Sequence, residues 1–198
     1  MDELPKGPPR LRLIAVAGDA GAEPESPEGR LAFEVGRRLV DAGHRLLTGG
    51  LGGVMEAACR GARSSAAWRE GLVLGILPGH APDAANPFVD IALPTGLDIA
   101  RNVLVAHADA LIAIGGGAGT LSEMALAWQM QRLVIAWRGG GWSGRLADRP
   151  VDGRIRYPEI PEDRVYGFDS AEEAVAILQR LESRYRGSWG GIGHRRSP

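Results

Sequence analysis

Residues 48–55 read Thr-Gly-Gly-Leu-Gly-Gly-Val-Met, and residues 115–120 read Gly-Gly-Gly-Ala-Gly-Thr. Each stretch follows an apolar run typical of a buried strand and precedes a helical pattern, so each predicts a glycine-rich junction between a strand and a helix. Glycine permits positive φ and leaves room for a ligand, and the free N–H groups at the start of the following helix favour an anion. Two such junctions in one small chain predict a site for a phosphorylated ligand.

The pattern on either side of these junctions alternates between strands and helices. Apolar runs predict strands at 11–17, 44–48, 72–77, 88–93, 110–114 and 133–137, and helical spacing or capping residues predict helices at 26–42, 54–63, 94–107, 120–131 and 170–185. This alternation predicts an α/β fold, a Rossmann-like doubly wound parallel sheet with helices on both faces. Both junctions would then lie at the carboxyl ends of strands, where such sheets bind ligands.

The chain is expected to form a single domain. We expect a flexible arm at 1–10, the Rossmann-like domain at 11–186 and a mobile tail at 187–198. Within the domain, residues 138–169 are rich in Gly, Pro and Arg, and we expect them to form an irregular insertion.

Composition narrows the classes of function. Lys and Arg total 23 against 24 Asp and Glu, a balance that gives no reason to expect nucleic acid or an anionic membrane as a partner. No apolar run approaches the roughly 20 residues of a membrane span, and the first residues do not resemble a secretion signal. The single cysteine, Cys59, excludes an internal disulfide and suits a reducing compartment, so we expect a cytoplasmic protein. The scattered histidines show no metal-ligand spacing, and no metal site is predicted.

The second junction offers the sharper binding site. Its glycines, Gly115, Gly116, Gly117 and Gly119, would surround a phosphate, and the hydroxyl of Thr120 would be a further donor.

A carboxylate and a cation accompany these glycines. Glu123 lies one turn into the helix, where it could accept hydrogen bonds from sugar hydroxyls, activate a water, or only complement the helix dipole. Arg101, near the start of a helix at the same sheet edge, could hold a phosphate. The alternative role of Arg101 is to form an ion pair with Asp98 or Glu123. Asn102 could recognise a base edge or cap the local backbone.

Other features indicate packing. Gly36, inside the first helix, is expected to allow close packing on the sheet. A stripe at helical spacing is expected to face the core, with a dimer seam as the second possibility: Leu121, Met124, Ala125 and Trp128. Trp142, Arg145, Tyr157 and Tyr166 could close over the pocket, but covering an edge of the sheet is the expected role of such loop aromatics.

The two junctions together resemble those of a known family. The first is similar to the G-G-x-x-G-x-M segment of the LONELY GUY superfamily of phosphoribohydrolases, with matches at Gly49, Gly50, Gly53 and Met55. The second is similar to that superfamily's P-G-G-x-G-T-x-x-E motif, with matches at Gly116, Gly117, Gly119, Thr120 and Glu123. Arg101 resembles the arginine of its arginine–lysine pair. The resemblance covers roughly residues 11–137.

Departures from the motif point to one branch of this superfamily. Gly115 replaces the motif's proline, and Asn102 replaces the lysine. Residues 94–102 look more like the molybdenum-cofactor carrier proteins and their bacterial relatives, which are thought to bind a phosphorylated pterin cofactor without turning it over. The family habit, with the Met124/Trp128 face, also implies a homo-oligomer, a dimer or a tetramer.

The leading hypothesis is therefore a binding protein for a phosphorylated, nucleotide-like small molecule. Bound molybdenum cofactor or a nucleoside monophosphate is the implied ligand, and no cofactor is required. The phosphate would rest on residues 116–120 with Arg101 beside it, and Gly49, Gly50, Gly52 and Gly53 would line the other side. The alternative is a nucleoside 5′-monophosphate phosphoribohydrolase, with Glu123 and Arg101 as catalytic residues. A nucleotide sensor is a weaker third possibility.

Overall fold

A computed structural model describes residues 10–185. The predicted arm and tail therefore fall almost wholly outside the described residues. The strands are β1 (Leu13–Gly18), β2 (Arg45–Thr48), β3 (Val73–Leu77), β4 (Ile91–Pro94), β5 (Ala110–Ile114), β6 (Leu133–Trp137) and β7 (Tyr166–Phe168). The α-helices are α1 (Pro27–Asp41), α2 (Val54–Ser64), α3 (Asn102–Ala106), α4 (Ala118–Gln129), α5 (Gly141–Leu146) and α6 (Ala171–Leu181).

The seven strands form one parallel sheet in the order β4-β3-β2-β1-β5-β6-β7. After β4, at one edge, the chain returns to place β5 on the other side of β1. This change of direction creates a topological switch point beside β1, where a doubly wound sheet binds ligands. One face packs on α1, α2 and α6 and the other on α3, α4 and α5, so the predicted Rossmann-like fold is confirmed.

Local chemistry explains where the longer helices begin. The Ser26 side chain accepts a hydrogen bond from the N–H of Gly29, and proline occupies the first helical position of α1, as predicted. In α6 the Ser170 hydroxyl accepts from the N–H of Glu173 at 3.2 Å. The carboxylate of Glu173 reaches back to accept a hydrogen bond from the N–H of Asp169, one residue before the cap, so the two residues fix the entry of the chain into α6.

The sequence misplaced three segments. The strand predicted at 88–93 begins only at Ile91, because Asn86 accepts hydrogen bonds from the N–H groups of Phe88 and Val89 and holds them in a turn. The helix predicted from residue 94 begins with a 3₁₀ turn at Asp98–Arg101; the preceding N–H groups bond the loop after β3 instead. Residues 138–169, predicted to be irregular, contain α5 and the short strand β7, which pairs with β6.

Gly36 packs against a helix and not against the sheet. A Cβ at this position would lie 2.0 Å from the carbonyl oxygen of Ala58 in α2. The contact is reciprocal, because a Cβ on Gly61 of α2 would lie 1.9 Å from the carbonyl oxygen of Phe33 in α1. Two glycines therefore bring the backbones of α1 and α2 together, and the expected role of Gly36 on the sheet is wrong.

Two members of the predicted stripe on α4 belong to the core, whereas Leu121 and Ala125 are half-buried. Met124 is fully buried and Trp128 is 1% exposed. Trp128 lies beneath residues 152–156: its indole donates to Asp152, and the Arg156 guanidinium carbon lies 3.4 Å from the ring centroid. The Met124/Trp128 face is therefore unavailable as a dimer seam. Tyr157 and Tyr166 are also buried in the core, and Tyr166 begins the edge strand β7 itself. Trp142 is half-buried and Arg145 is exposed, so edge cover by these residues stays a prediction.

Gly36→Ala is expected to destabilise the protein by about 2 kcal/mol, because an added methyl meets fixed backbone atoms, even though alanine is the better helix former. Gly119→Ala is the matched control, since a Cβ on that helical glycine meets nothing within 4 Å. It should leave the free energy of unfolding unchanged or raise it by roughly 0.5–1 kcal/mol. Urea unfolding of both variants checks this, and equal stabilities would contradict the packing account.

Candidate functional site

Both glycine junctions lie at the carboxyl edge of the sheet, one on either side of the loop after β1. The first connects β2 to α2, and the second connects β5 to α4. Gly53 packs under the β1 loop so closely that a Cβ would lie 2.2 Å from the carbonyl oxygen of Asp19, and the N–H of Val54 bonds the same oxygen at 2.9 Å. The first junction is therefore packed directly against the loop after β1.

Two polar side chains that the sequence did not single out hold the first junction. The N–H of Gly50, at φ +74°, donates to the hydroxyl of Thr48 at 3.0 Å. The side-chain amide of Asn86 donates to the carbonyls of Gly50 and Leu51 at 3.2 and 3.0 Å. Asn86 lies in the predicted loop between strands, where nothing in the local pattern marked it. These bonds fix the loop without using a ligand.

Cys59 lies behind this junction as a packed, buried thiol. Its sulfur is 3.5 Å from the Thr48 hydroxyl and 3.8 Å from the Asn86 amide. Burial raises the pKa of the thiol to about 11, so it stays protonated at neutral pH and is unreactive.

The second junction has a closed side and an open side. Gly115 and Gly116 adopt positive φ, and a Cβ on Gly116 would lie 2.1 Å from the Thr120 hydroxyl. By contrast, a Cβ on Gly117 or Gly119 would meet no atom within 4 Å. The first turn of α4 therefore presents its N–H groups to open space, the arrangement that favours an anion.

Helix α5 holds this junction in place through hydrogen bonds to Gly115 and Gly116. The sequence did not reveal this contact, because α5 was not predicted. The buried Ser143 hydroxyl accepts from the N–H of Gly115 at 2.8 Å and donates to the carbonyl of Trp137 at 2.9 Å. The N–H of Trp142 bonds the carbonyl of Gly116. Gly141 must be glycine here, because at φ +66° its Cβ would lie 2.5 Å from the carbonyl carbon of Gly115.

Arg101 and Glu123 meet between the two junctions. The Arg101 guanidinium lies against Gly49, where a Cβ would be only 2.2 Å from Nη1. Nη1 is 3.7 Å from Oε1 of Glu123, and the two side chains are only 10% and 9% exposed. Of the two ion-pair partners considered for Arg101, the structure has Glu123 and not Asp98.

This ion pair leaves donor capacity unused. The Nη1 atom of Arg101 is buried and has no hydrogen-bond partner among the described residues, since 3.7 Å is too long for a hydrogen bond. Burial lowers the pKa of Arg101, an effect that Glu123 opposes. Burial also raises the pKa of Glu123 to about 7, against the attraction of Arg101. The pair is therefore a guanidinium with free donors beside a carboxyl that changes protonation near neutral pH.

Asn102 is turned away from the open part of the site. Its amide nitrogen donates to the hydroxyl of Ser122 at 2.7 Å and lies 3.5 Å from the carbonyl oxygen of Gly119. Ser122 donates to the same carbonyl at 2.7 Å. Of its two proposed roles, capping the local backbone fits these contacts, since they tie α3 to the first turn of α4.

Residues 10–185 lack two other kinds of feature. No group of three or more His, Cys, Asp or Glu side chains in this range could hold a metal ion. None of the helices in the same range combines the length and the apolar character that a membrane span requires.

Comparisons with known proteins identify the family. The model of the SLOG cluster4 family matches residues 11–162, so the chain belongs to that family. A relative from Archaeoglobus fulgidus, described as an uncharacterized protein, is 43% identical over 156 residues, which cover 78% of this chain and 94% of the relative.

Two solved structures are similar to this chain. The molybdenum cofactor binding protein from the phototrophic bacterium Rippkaea orientalis is 33% identical with a TM-score of 0.71, covering 88% of this chain and 99% of that chain. The molybdenum cofactor carrier protein from Chlamydomonas reinhardtii is 27% identical with a TM-score of 0.67, covering 87% and 99%. The predicted likeness to molybdenum-cofactor carrier proteins is confirmed.

The raised pKa of Glu123 makes stability depend on pH. Its folded value of about 7 exceeds its ordinary 4.5, so the folded state holds a proton that the unfolded state has released between these values. The contribution of Glu123 to the free energy of unfolding is fully present below pH 4.5 and is lost as the pH rises through 7. The loss is on the order of 1–3 kcal/mol.

Glu123→Gln should reduce the fall in the free energy of unfolding between pH 5 and pH 8. Glu70→Gln, at an exposed position, should leave that fall unchanged. Urea unfolding at pH 5 and pH 8 checks both variants. A Glu123→Gln profile as steep as that of the wild type would show that Glu123 is not the titrating group.

Proposed function

We propose that this member of the SLOG cluster4 family binds a phosphorylated, nucleotide-like ligand at the two glycine junctions and carries it without chemical change. Molybdenum cofactor, a phosphorylated pterin bearing the metal, is the leading candidate. We expect the protein in the cytoplasm, because its single free cysteine suits a reducing compartment. The observation that carries it is the buried, unpartnered Nη1 atom of Arg101, because a buried charged donor without an acceptor is costly.

The phosphate would lie over the first turn of α4. Gly117 and Gly119 leave this space open, and the N–H groups of the turn, with the helix dipole, favour a negative charge there. A phosphate oxygen at this place would also satisfy the free donor of Arg101, whose guanidinium is fixed against Gly49. The charge-assisted bond would then replace a long ion pair.

The remainder of the ligand would extend across the loop after β1 towards the first junction. Gly49, Gly50, Gly52 and Gly53 would line that side. Glu123, protonated or ionised near pH 7, can donate to a ring acceptor or accept from a hydroxyl or amino group. A planar ring with mixed donors and acceptors, joined to a phosphate, fits this combination.

Two observations favour carriage over turnover. Asn102 stands where the phosphoribohydrolase motif has a lysine, and its amide donates to the hydroxyl of Ser122 in α4 instead of facing the open part of the site. The neighbours at 33% and 27% identity are described as a molybdenum cofactor binding protein and a molybdenum cofactor carrier protein.

Arg101→Met is expected to weaken cofactor binding about 10- to 100-fold, the effect of losing one or two charge-assisted hydrogen bonds. Arg149→Met is the control, because that arginine is exposed. Molybdenum cofactor incubated with each protein under argon, then passed through gel filtration, is measured by protein-bound molybdenum and by the fluorescence of the oxidised pterin.

Wild type and Arg149→Met should retain both signals, and Arg101→Met should lose most of them. Equal retention by Arg101→Met would remove Arg101 from the site. Failure of the wild type to retain either signal would overturn the cofactor as ligand.

One observation favours the phosphoribohydrolase alternative. A buried carboxyl with a pKa of about 7, next to a fixed cation, is suited to general acid–base catalysis. In that reaction water would replace the base at the anomeric carbon of a nucleoside 5′-monophosphate, releasing base and ribose 5-phosphate. Glu123 would activate the water, and Arg101 would hold the phosphate.

The two functions separate in one assay. Purified protein incubated with AMP, GMP, CMP and UMP should release no free base by chromatography if it is a carrier. Base release that persists in Glu70→Gln and disappears in Glu123→Gln would establish the hydrolase and overturn carriage without turnover.

A further inference from the structure

The guanidinium of Arg101 is the positive charge that two negative groups would share. It is held against Gly49 and lies 3.7 Å from the carboxylate of Glu123. A phosphate over the first turn of α4 would approach the same guanidinium, whose buried Nη1 atom has no hydrogen-bond partner among the described residues. Glu123 follows Gly119 by one turn of α4, a rise of about 6 Å, so the phosphate and the carboxyl group would be close neighbours.

The surroundings of Glu123 offer no second cation in the part of the chain that the structure describes. Helix α4 packs on β1, β5, β6 and α3, and none of these elements carries a charged or titratable side chain. Helix α5 also packs on α4, but its one charged residue, Arg145, is exposed. The 3₁₀ turn before α3 contributes Arg101 and the exposed Asp98. An ionised Glu123 and a bound phosphate would therefore compete for Arg101 alone.

Burial makes this competition costly. Like charges repel more strongly where water is excluded, and a carboxyl group can relieve the repulsion by taking up a proton. A phosphate monoester keeps at least one negative charge near neutral pH, whereas a carboxyl group becomes fully neutral. Burial already raises the pKa of Glu123 to about 7, so a nearby phosphate needs to shift this equilibrium only a little further.

We propose that Glu123 is protonated when the site holds a phosphorylated ligand, and that the neutral carboxyl group donates a hydrogen bond to that ligand. The inference rests on the proposed function and specifies the protonation state of the occupied site. The proton comes from solvent, so binding takes up a proton wherever Glu123 is ionised beforehand. The affinity for the ligand therefore falls as the pH rises above neutral.

A protonated Glu123 has two consequences for function. A neutral carboxyl group cannot accept a proton from water, so it cannot be the general base of a phosphoribohydrolase while the phosphate is bound. Loss of the proton restores a negative charge beside the phosphate and weakens its binding. The same residue thus favours carriage over turnover and makes release of the ligand sensitive to pH.

Sulfate is the probe that isolates this effect, because it remains a dianion throughout the neutral range and binds at the helix starts that bind phosphate. Calorimetric titrations of the full-length protein at pH 6.5, 7.5 and 8.5 are made at constant ionic strength. The Kd should rise about 10- to 30-fold from the lowest to the highest pH. At pH 7.5, titrations in two buffers of different ionisation enthalpy should show roughly 0.5–0.8 protons taken up per bound sulfate.

Two glutamine variants test whether Glu123 holds the proton. Glu123→Gln imitates the neutral carboxyl group, so its Kd should vary little with pH, and at pH 8.5 it should bind sulfate more tightly than the wild type. Damage to the fold would not produce that gain. Glu70→Gln, at an exposed position, is the matched control and should keep the pH profile and the proton uptake of the wild type.

Sulfate binding without proton uptake, or no sulfate binding at any of the three pH values, would overturn the proposal. A Glu123→Gln profile as steep as that of the wild type would overturn it too. Retention of molybdenum cofactor together with pH-independent sulfate binding would contradict this inference and leave the proposed function standing. Proton-linked sulfate binding without cofactor retention would support the inference and reject the cofactor as the ligand.

Discussion

The site depends on one contact, the Arg101 guanidinium lodged against the bare backbone of Gly49. A side chain at residue 49 would displace the guanidinium, so glycine is required there because of Arg101, which lies about fifty residues further along the chain. Once lodged there, the guanidinium is buried beside Glu123 at a distance too long for a hydrogen bond. Burial then raises the pKa of the carboxyl and leaves an Nη1 atom unsatisfied. The binding proposal follows from that imbalance.

The remaining polar groups of the site serve to hold this arrangement. Asn86 and Thr48 fix the first junction, and Ser143 fixes the second from the far side. Asn102 ties the turn of Arg101 to the start of α4. Because these side chains bond the backbone, the N–H groups of the open turn of α4 stay directed at solvent and ready for an anion. Preorganisation of this kind lowers the entropic cost of ordering the site when a ligand binds.

The sequence was sufficient to predict those parts of the structure that depend on residues close together in the chain. Strands at 110–114 and 133–137 were predicted at their observed bounds, because fully buried parallel strands are continuous apolar runs. The glycine junctions and the Ser26 and Ser170 caps were also readable. The sequence failed where a partner distant in the chain decides. Gly36 is required by the carbonyl of Ala58 in the neighbouring helix, and Ser143 holds the N–H of Gly115, 28 residues earlier in the chain.

The most direct measurement is a crystal structure of the protein grown with molybdenum cofactor, with data collected on both sides of the molybdenum absorption edge. The account predicts a phosphate over Gly117 and Gly119, about 3 Å from the Nη1 atom of Arg101, and a molybdenum peak on the side of the first junction. Density for the cofactor elsewhere, such as in the cavity lined by Leu74 and His107, or an unoccupied α4 turn, would contradict it.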